Sequence, residues 1–471
     1  MTRFVNADRD QSFLLPPDMR DWVPEDDFCH FVIAAVERVD MNAFVINTRG
    51  SGSPQYEPRM MLALLIYCYA NGIFSSRRIE RATYRDVGVR FVAANTQPDH
   101  DTIAVFRRRN ETAFKAAFLE VLLLARELKL LRVGTVSVDG TKIDANASKH
   151  KSVRYDRAKA LRKKLTTDIA ELVAKAESAD VDNGDDPQSL PAEIARREAL
   201  KAKMDEAVAR LEAEARECAA AAQPAYEEKL EKRRDGAGAG RPPQPPSAVP
   251  PDKEQTNLTD PDSRIMRKNK HAEYRQAYNA QAAVDADGSM MILAAHVTNC
   301  ASDKGELVPA VDGIDPAVGT PEIVLGDNGF ANGDAVARLQ DQGIDVLVAT
   351  GAEGRQRPYD FRPPKDTGPP KRPVLPWLKE MKEKMESEAG RAKYKLRQQT
   401  VEPVFGIIKE VLGFRRFRLR GLAGVDLEWL LMALAYNCKR LHRLKHLQGH
   451  LDAVARYRYF FELHRSSPTN C

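Results

Sequence analysis

Two kinds of sequence that cannot share one layer of a fold alternate along this chain, and the alternation limits the architectures open to it. Short runs of β-formers end in acid–glycine signals: VSVDGTKIDAN at 136–146, YNAQAAVDADGSMMILAAHVTN at 278–299 and PEIVLGDNGFAN at 321–332. Between the first two lies a stretch of another character, 148–253, rich in Ala, Glu, Lys and Arg. Its apolar residues form two narrow stripes, Leu161, Leu165, Ile169, Leu172 and Met204, Val208, Leu211, Ala215, which read as two helices paired in an antiparallel hairpin around the polar turn DVDNGDD. The hairpin runs out into DGAGAGRPPQPPSAVPPDK, whose composition is that of a flexible or extended linker rather than a phosphate loop. Strands at 133–139, 277–298 and 321–327, with helices after them, predict an α/β core interrupted by a helical insertion.

Residues 17–130 carry apolar residues at three- and four-residue spacing and predict an all-helical region, with Gly72 as a break. Asp101 offers an N-cap to one long helix through FRRRNETAFKAAFLEVLLLAREL. In the second half, Asp287-Gly288 signals a hairpin, GDAVARLQDQG a helix and IDVLVAT a further strand. A helical region follows from EAGRAKYKLRQQTVEPVFGIIKEVLGF, and then the apolar LEWLLMALAYNCKRLHRL. The segments expected are 17–130, a core made of 131–147 plus 254–445, the insertion and linker 148–253, and a tail 446–471.

A length of 471 residues and 43% apolar content allow two to four domains with a sizeable core. Six cysteines scattered without a C-x-x-C pair read as reduced thiols of the cytosol, not as a disulfide framework. The N-terminus has no apolar signal core, and Met60–Ala70 is shorter than the ~20 residues of a membrane span. A cytoplasmic protein is expected.

Three acids stand out by position. Asp139 and Asp327 each end a predicted apolar strand and are followed by glycine at once or after one residue. Glu402 lies on a predicted helix whose Val401, Val404, Phe405 and Ile408 would face the core. Taken alone, such an aspartate is a turn residue, a phosphate-accepting nucleophile or a metal ligand. Taken together, acids delivered to one sheet edge by two strands and a crossing helix suit Mg²⁺, a hard cation that favours oxygen ligands.

The blocks VSVDGTKIDANASK, TDPDSRIMRKN with YNAQAAVD, VLGDNGFAN and YKLRQQTVEPVFGIIKEVLGFRRFRLRGL resemble the DDE transposases of bacterial insertion sequences, and the likeness spans most of residues 20–445. The resemblance implies an RNase H-like mixed-sheet catalytic core behind an N-terminal helical domain. It implies metal-dependent DNA strand cleavage and strand transfer at the ends of an insertion sequence, with Mg²⁺ or Mn²⁺ as cofactor. Asp139, Asp327 and Glu402 would be the metal-binding triad, and Tyr394, Arg397, Glu402 and Lys409 match the tyrosine–arginine–glutamate–lysine signature. The arginine-to-glutamate gap is one residue longer than the commonest form of that signature. Tyr394, Arg397 and Lys409 would position the strand. The implied partners are the terminal repeats and target DNA, in a homodimer or larger synaptic assembly at the bacterial nucleoid.

Charge agrees with a nucleic-acid partner. Arg391 to Arg420 holds nine Lys/Arg, among them Arg415, Arg416, Arg418 and Arg420, against two acids, in a chain of net charge +5. Such a stripe neutralises phosphates, and Phe417 between arginines suggests stacking. In the N-terminal region, SSRRIERATYRD and HDTIAVFRRRN could form a helix-turn-helix-like reader of the DNA ends.

Other readings compete. VDGTK is similar to the haloacid dehalogenase motif, but the nucleophile's place two positions before Asp139 is Ser137, which cannot form an aspartyl phosphate. A transposase-derived DNA-binding protein without activity would keep the fold and the charge. Cys438, His442, His446 and His450 recur every four residues, yet at ~100° per residue the stripe drifts about 40° per step and does not focus on one ion. Asp144 reads as a structural acid.

Overall fold

The structure is a computed structural model and describes residues 19–46, 55–179, 189–234, 242–267, 271–351 and 375–465. The N-terminal part is helical: α1 (Phe28–Glu37), α2 (Pro58–Ala70), α3 (Ser76–Arg85), α4 (Val87–Val92), α5 (His100–Arg109) and α6 (Glu111–Glu127). Helix α2 starts on Pro58, which has no N–H to leave unpaired, and is buried on every side from Met61 to Ala70, as its unbroken apolar sequence requires. The expected long helix after residue 98 is two helices. Its cap is Asp99, whose side chain accepts from the N–H groups of Asp101 and Thr102, so Asp101 lies within the first turn. The break is Asn110, which accepts from Val45 N and donates to Phe106 O, diverting the chain between α5 and α6.

Strand β1 (Thr135–Asp144) opens the sheet. The insertion leaves it through β2 (Ser152–Arg154), runs out along α7 (Tyr155–Ala179), returns along α8 (Ser189–Arg234) and re-enters through β3 (Gln255–Asn257), which pairs antiparallel with β2. Contacts Arg162–Asp205 and Arg197–Asp168 show that α7 and α8 run antiparallel, around a small core of their own that includes Leu165, Met204, Val208 and Leu211. The DVDNGDD turn lies outside the described residues. So does the first part of the expected linker, 235–241. The helix α8 extends past Ala222 through Pro224, beyond the predicted hairpin.

The core continues with β4 (Arg264–Met266), β5 (Arg275–Asp285), β6 (Ile292–Thr298), α9 (Leu307–Asp312), β7 (Ile323–Gly326), α10 (Gly333–Asp341) and β8 (Asp345–Val348), then α11 (Pro376–Glu386), α12 (Glu388–Gly406) and α13 (Leu422–Arg465). The strands lie in the order β6-β5-β1-β7-β8, with β4 also on the outer edge of β5. Strands β6, β5 and β1 are antiparallel neighbours, while β1, β7 and β8 run parallel. A three-stranded meander feeding two parallel strands, crossed by a helix, is the RNase H-like arrangement. The α/β core, the helical N-terminal region and the helical-hairpin insertion are therefore all present. None of the described helices is long and apolar enough to cross a membrane.

Helix α13 joins the two halves, packing on α2 and α6 on one side and on β6 on the other. It seals the sheet edge with side chains: Asn437 both accepts from Ile292 N and donates to Ile292 O, and Asp426 accepts from Val297 N. At the junction Glu428 is fully buried. It accepts from the Tyr69 hydroxyl at 3.0 Å and from the Arg418 and Leu419 N–H groups at 2.7 and 2.9 Å, with the buried Arg107 guanidinium 4.0 Å away. Burial raises the Glu428 pKa, and Arg107 opposes that shift. Arg107→Met should destabilise the chain by about 3 kcal/mol in urea denaturation, because it strands a buried carboxylate.

Candidate active site

Strand β1 alternates its faces, and the alternation builds the site. Ser137, Asp139 and Thr141 point to one side and meet α12 and the π-helical turn after it, Ile407–Val411, in three rungs. Thr400 donates to Ser137 at 3.0 Å, Arg397 pairs with Asp139, and Lys409 donates to Thr141 and, at 3.0 Å, to the Lys142 carbonyl. The helix presents these residues because Val401, Val404, Phe405 and Ile408 are buried beneath them.

Asp139 is not at a strand end. Pairing with β7 stops at Ser137, but pairing with β5 continues in register to Asp144, so Gly140 does not break the strand. Asp139 stands where β7 departs and the edge of the parallel half opens. Asp327 follows β7 directly and accepts from Gly329 N at 2.7 Å, a turn that fixes its carboxylate at the same edge. Glu402 comes from α12, half-exposed.

The three acids converge on one group. The Arg397 guanidinium lies 3.1 Å from Asp139, 3.8 Å from Asp327 and 3.3 Å from Glu402. Arg397 is only 8% exposed, with its guanidinium directed at the three acids. Burial pushes the Asp139 carboxyl up to about 6, against the pull of Arg397, with Asp327 and Asp303 adding to the rise. Burial works against the charge of Arg397 in turn, but Asp139 and Asp327 hold its pKa raised. Among the described residues no three Asp, Glu, His or Cys side chains are disposed as ligands around one point. The point shared by the triad is filled by the guanidinium.

The remaining expected residues are near but differently placed. Tyr394 is half-buried against the core on α12. Arg415, Arg416, Arg418 and Arg420 are all exposed on the loop after the π-helical turn. That loop is fastened to the end of β1: Asp144 N donates to Arg415 O, Phe417 N to Asp144 O, and Asn146 exchanges hydrogen bonds with Arg418 O and the Arg420 side chain. Phe417 is fully buried, edge-on to Tyr278 and Phe414, so it anchors the loop and does not stack on bases. The Asp144 carboxylate faces Arg275 and Arg416, away from the triad. Cys438 is buried in the core. His442 lies against Phe28, Phe31 and His446.

One acid at the site escapes a reading of the sequence. Asp303, on the loop after β6, accepts from the Asn279 and Gln281 side-chain amides, each at 2.7 Å, beside Gly140. The signal that could have found it is YNAQAAV itself: two amides at alternate positions of a buried strand need a polar partner. A Cβ on Gly140 would lie 2.5 Å from Asp303 Oδ1 and closer still to Gln281 Nε2. Gly140→Ala should therefore cost about 1–3 kcal/mol in chemical denaturation, the range for an overpacked site.

Residues 249–438 match the family described as Transposase DDE domain, and residues 17–109 match the Transposase domain (DUF772). Asp327, Arg397, Glu402 and Lys409 fall inside the first match, and Asp139 falls between the two. No curated protein and no solved structure matches the chain. With an RNase H-like sheet, acids from β1, the turn after β7 and a crossing helix gathered at one edge, and both transposase domains in order, the chain belongs to the DDE transposases of insertion sequences.

Proposed function

We propose that this transposase cuts DNA at the ends of its insertion sequence and joins the freed ends to target DNA by divalent-cation-dependent phosphoryl transfer. The observation that supports this reading is the convergence of Asp139, Asp327 and Glu402 on a single cation, Arg397. Once the Arg397 guanidinium leaves the point they share, three carboxylates are a donor set suited to Mg²⁺ or Mn²⁺, and Asp139, Asp327 and Glu402 are the residues that would hold it. Bound there, the cation would supply charge neutralisation for the scissile phosphodiester and activation of its attacking oxygen.

The chain's own residues do the rest. Arg397 keeps the carboxylates together against their mutual repulsion, and its guanidinium can then turn to a strand phosphate, the role its signature implies. Lys409, tied to β1 at Thr141 and Lys142, keeps the π-helical turn against the strand that carries Asp139. Arg415, Arg416, Arg418 and Arg420 line the approach to that strand and grip the backbone. Helix α3 exposes Arg77, Arg78, Arg81, Tyr84 and Arg85, a basic face suited to reading the terminal repeats. Joining two ends requires at least two copies in a synaptic assembly.

Two measurements test the reading. On DNA carrying the transposon's own end, the wild-type chain should nick in Mg²⁺ and not in EDTA, and Asp327→Asn should be inactive while still binding. Binding without cleavage by the wild type would mark it as an inactive DNA-binding relative. Replacing Arg415, Arg416, Arg418 and Arg420 together by Ala should flatten the plot of log affinity against log salt by about 3–4, near 0.9 for each lost phosphate contact. An unchanged slope would remove the loop from the DNA interface.

A further inference from the structure

Beyond the triad, the sheet edge holds a fourth carboxylate whose surroundings are built around it. We propose that Asp303 is an outer acid of the active site, which strengthens the hold of Asp139 and Asp327 on a divalent cation. The inference rests on the metal-dependent reading of the preceding subsection.

Asp303 Oδ1 accepts from Asn279 Nδ2 and Gln281 Nε2, two side chains with no exposed surface. Strand register sets those amides opposite Lys142 and Gly140, three and one positions beyond Asp139, on the face that α12 leaves uncovered. Holding Asp303 this way leaves Asn279 Oδ1 and Gln281 Oε1 buried without a partner among the described residues. Buried oxygens without a partner are rare, so two beside one carboxylate call for a physical account. Asn279 Oδ1 points into the same space, 3.0 Å from where a Gly140 Cβ would sit.

Both triad aspartates have a glycine close behind them, and each of these glycines makes room for Asp303. A Cβ on Gly140 would strike Asp303 Oδ1. One on Gly329 would lie 2.8 Å from Asp327 Oδ1 and 3.4 Å from Asp303 Oδ2. The Asp303 carboxylate is thus wedged between β1, next to Asp139, and the turn after β7 that presents Asp327. Its Oδ2, on the Asp327 side, accepts no hydrogen bond from the described residues. Among the described residues the nearest cation to Asp303 is Lys142, 3.6 Å from Oδ1 and too far for a hydrogen bond, so its charge is only partly offset. A carboxylate fixed beside a cation site without ligating it adds negative potential there, and loss of such a group typically weakens metal affinity about tenfold or more.

The test is Mn²⁺ binding to the full chain by calorimetry, a readout that does not depend on cleavage. Asp303→Asn keeps the oxygen that both amides bond and removes the charge, so it should weaken Mn²⁺ binding about tenfold. Lys142→Met removes the offsetting charge and should tighten binding, which a scaffolding role for Asp303 would not produce. Asp327→Asn serves as the control and should weaken binding more than Asp303→Asn does. If Asp303→Asn and Lys142→Met both bind like the wild type while Asp327→Asn does not, the role of Asp303 is overturned and the triad stands. If Asp327→Asn also binds normally, the metal-dependent reading itself fails and this inference falls with it.

Discussion

The site depends on one charge balance, that of a guanidinium against three carboxylates at a sheet edge. Asp139 is delivered to a place where burial disfavours its ionised form, and Asp327 and Glu402 arrive from separate elements with charge of the same sign. Without a cation these groups repel, and β1, the turn after β7 and α12 would part. Arg397 supplies that cation from within α12, so the helix that brings the third acid also brings the counter-charge. Ion pairs of this kind add little net stability, since desolvation offsets most of the attraction. Their value lies in placement: the acids are held together while the site is empty of substrate.

Much of this was legible in the sequence because it rests on local chemistry. Apolar runs ended by Asp-Gly or Gly-Asp-Asn marked the strands, narrow stripes at helical spacing marked the hairpin insertion, and Val401, Val404 and Phe405 showed which face of α12 is buried. What escaped rests on partners distant in the chain. Gly140 reads as a turn, yet β5 goes on pairing after β7 has left, which no local signal reports. Phe417 among arginines reads as a surface aromatic, until Tyr278 and Phe414 close around it. Arg397 reads as a strand-positioning residue through the signature it matches, and only the fold shows it turned inward onto the three acids. Asp303 carries no pattern of its own, being one loop acid among many until Asn279 and Gln281 meet it.

The position of the insertion follows from the same geometry. It departs after Asp144, beyond the last residue of β1 that the site uses, and returns at β3, before β4 and β5. The β2–β3 ribbon draws its two ends together, so α7 and α8 can extend outward without disturbing the register of β1 on β5. Ion pairs between Arg210 and Asp262 and between Glu214 and Arg264 tie the base of α8 to the core. Asp262 also accepts from Leu422 N at the start of α13. The hairpin is thus referenced to the start of α13, just past the basic loop.

Glu428 has a wider consequence. Its carboxylate is shared between Tyr69 of α2 and the main chain at Arg418 and Leu419, within reach of Arg107 of α5. The helical N-terminal region and the basic loop are therefore complementary parts of a single buried contact, though one precedes the catalytic core in sequence and the other follows its last acid. Recombination that exchanged N-terminal regions between related transposases, to give one core the specificity of another, would have to preserve this lock. A donor lacking the tyrosine and arginine would leave the carboxylate alone in the interior. On the reading proposed for α3, new DNA specificities should thus arise more readily by changing its exposed residues than by trading the whole region.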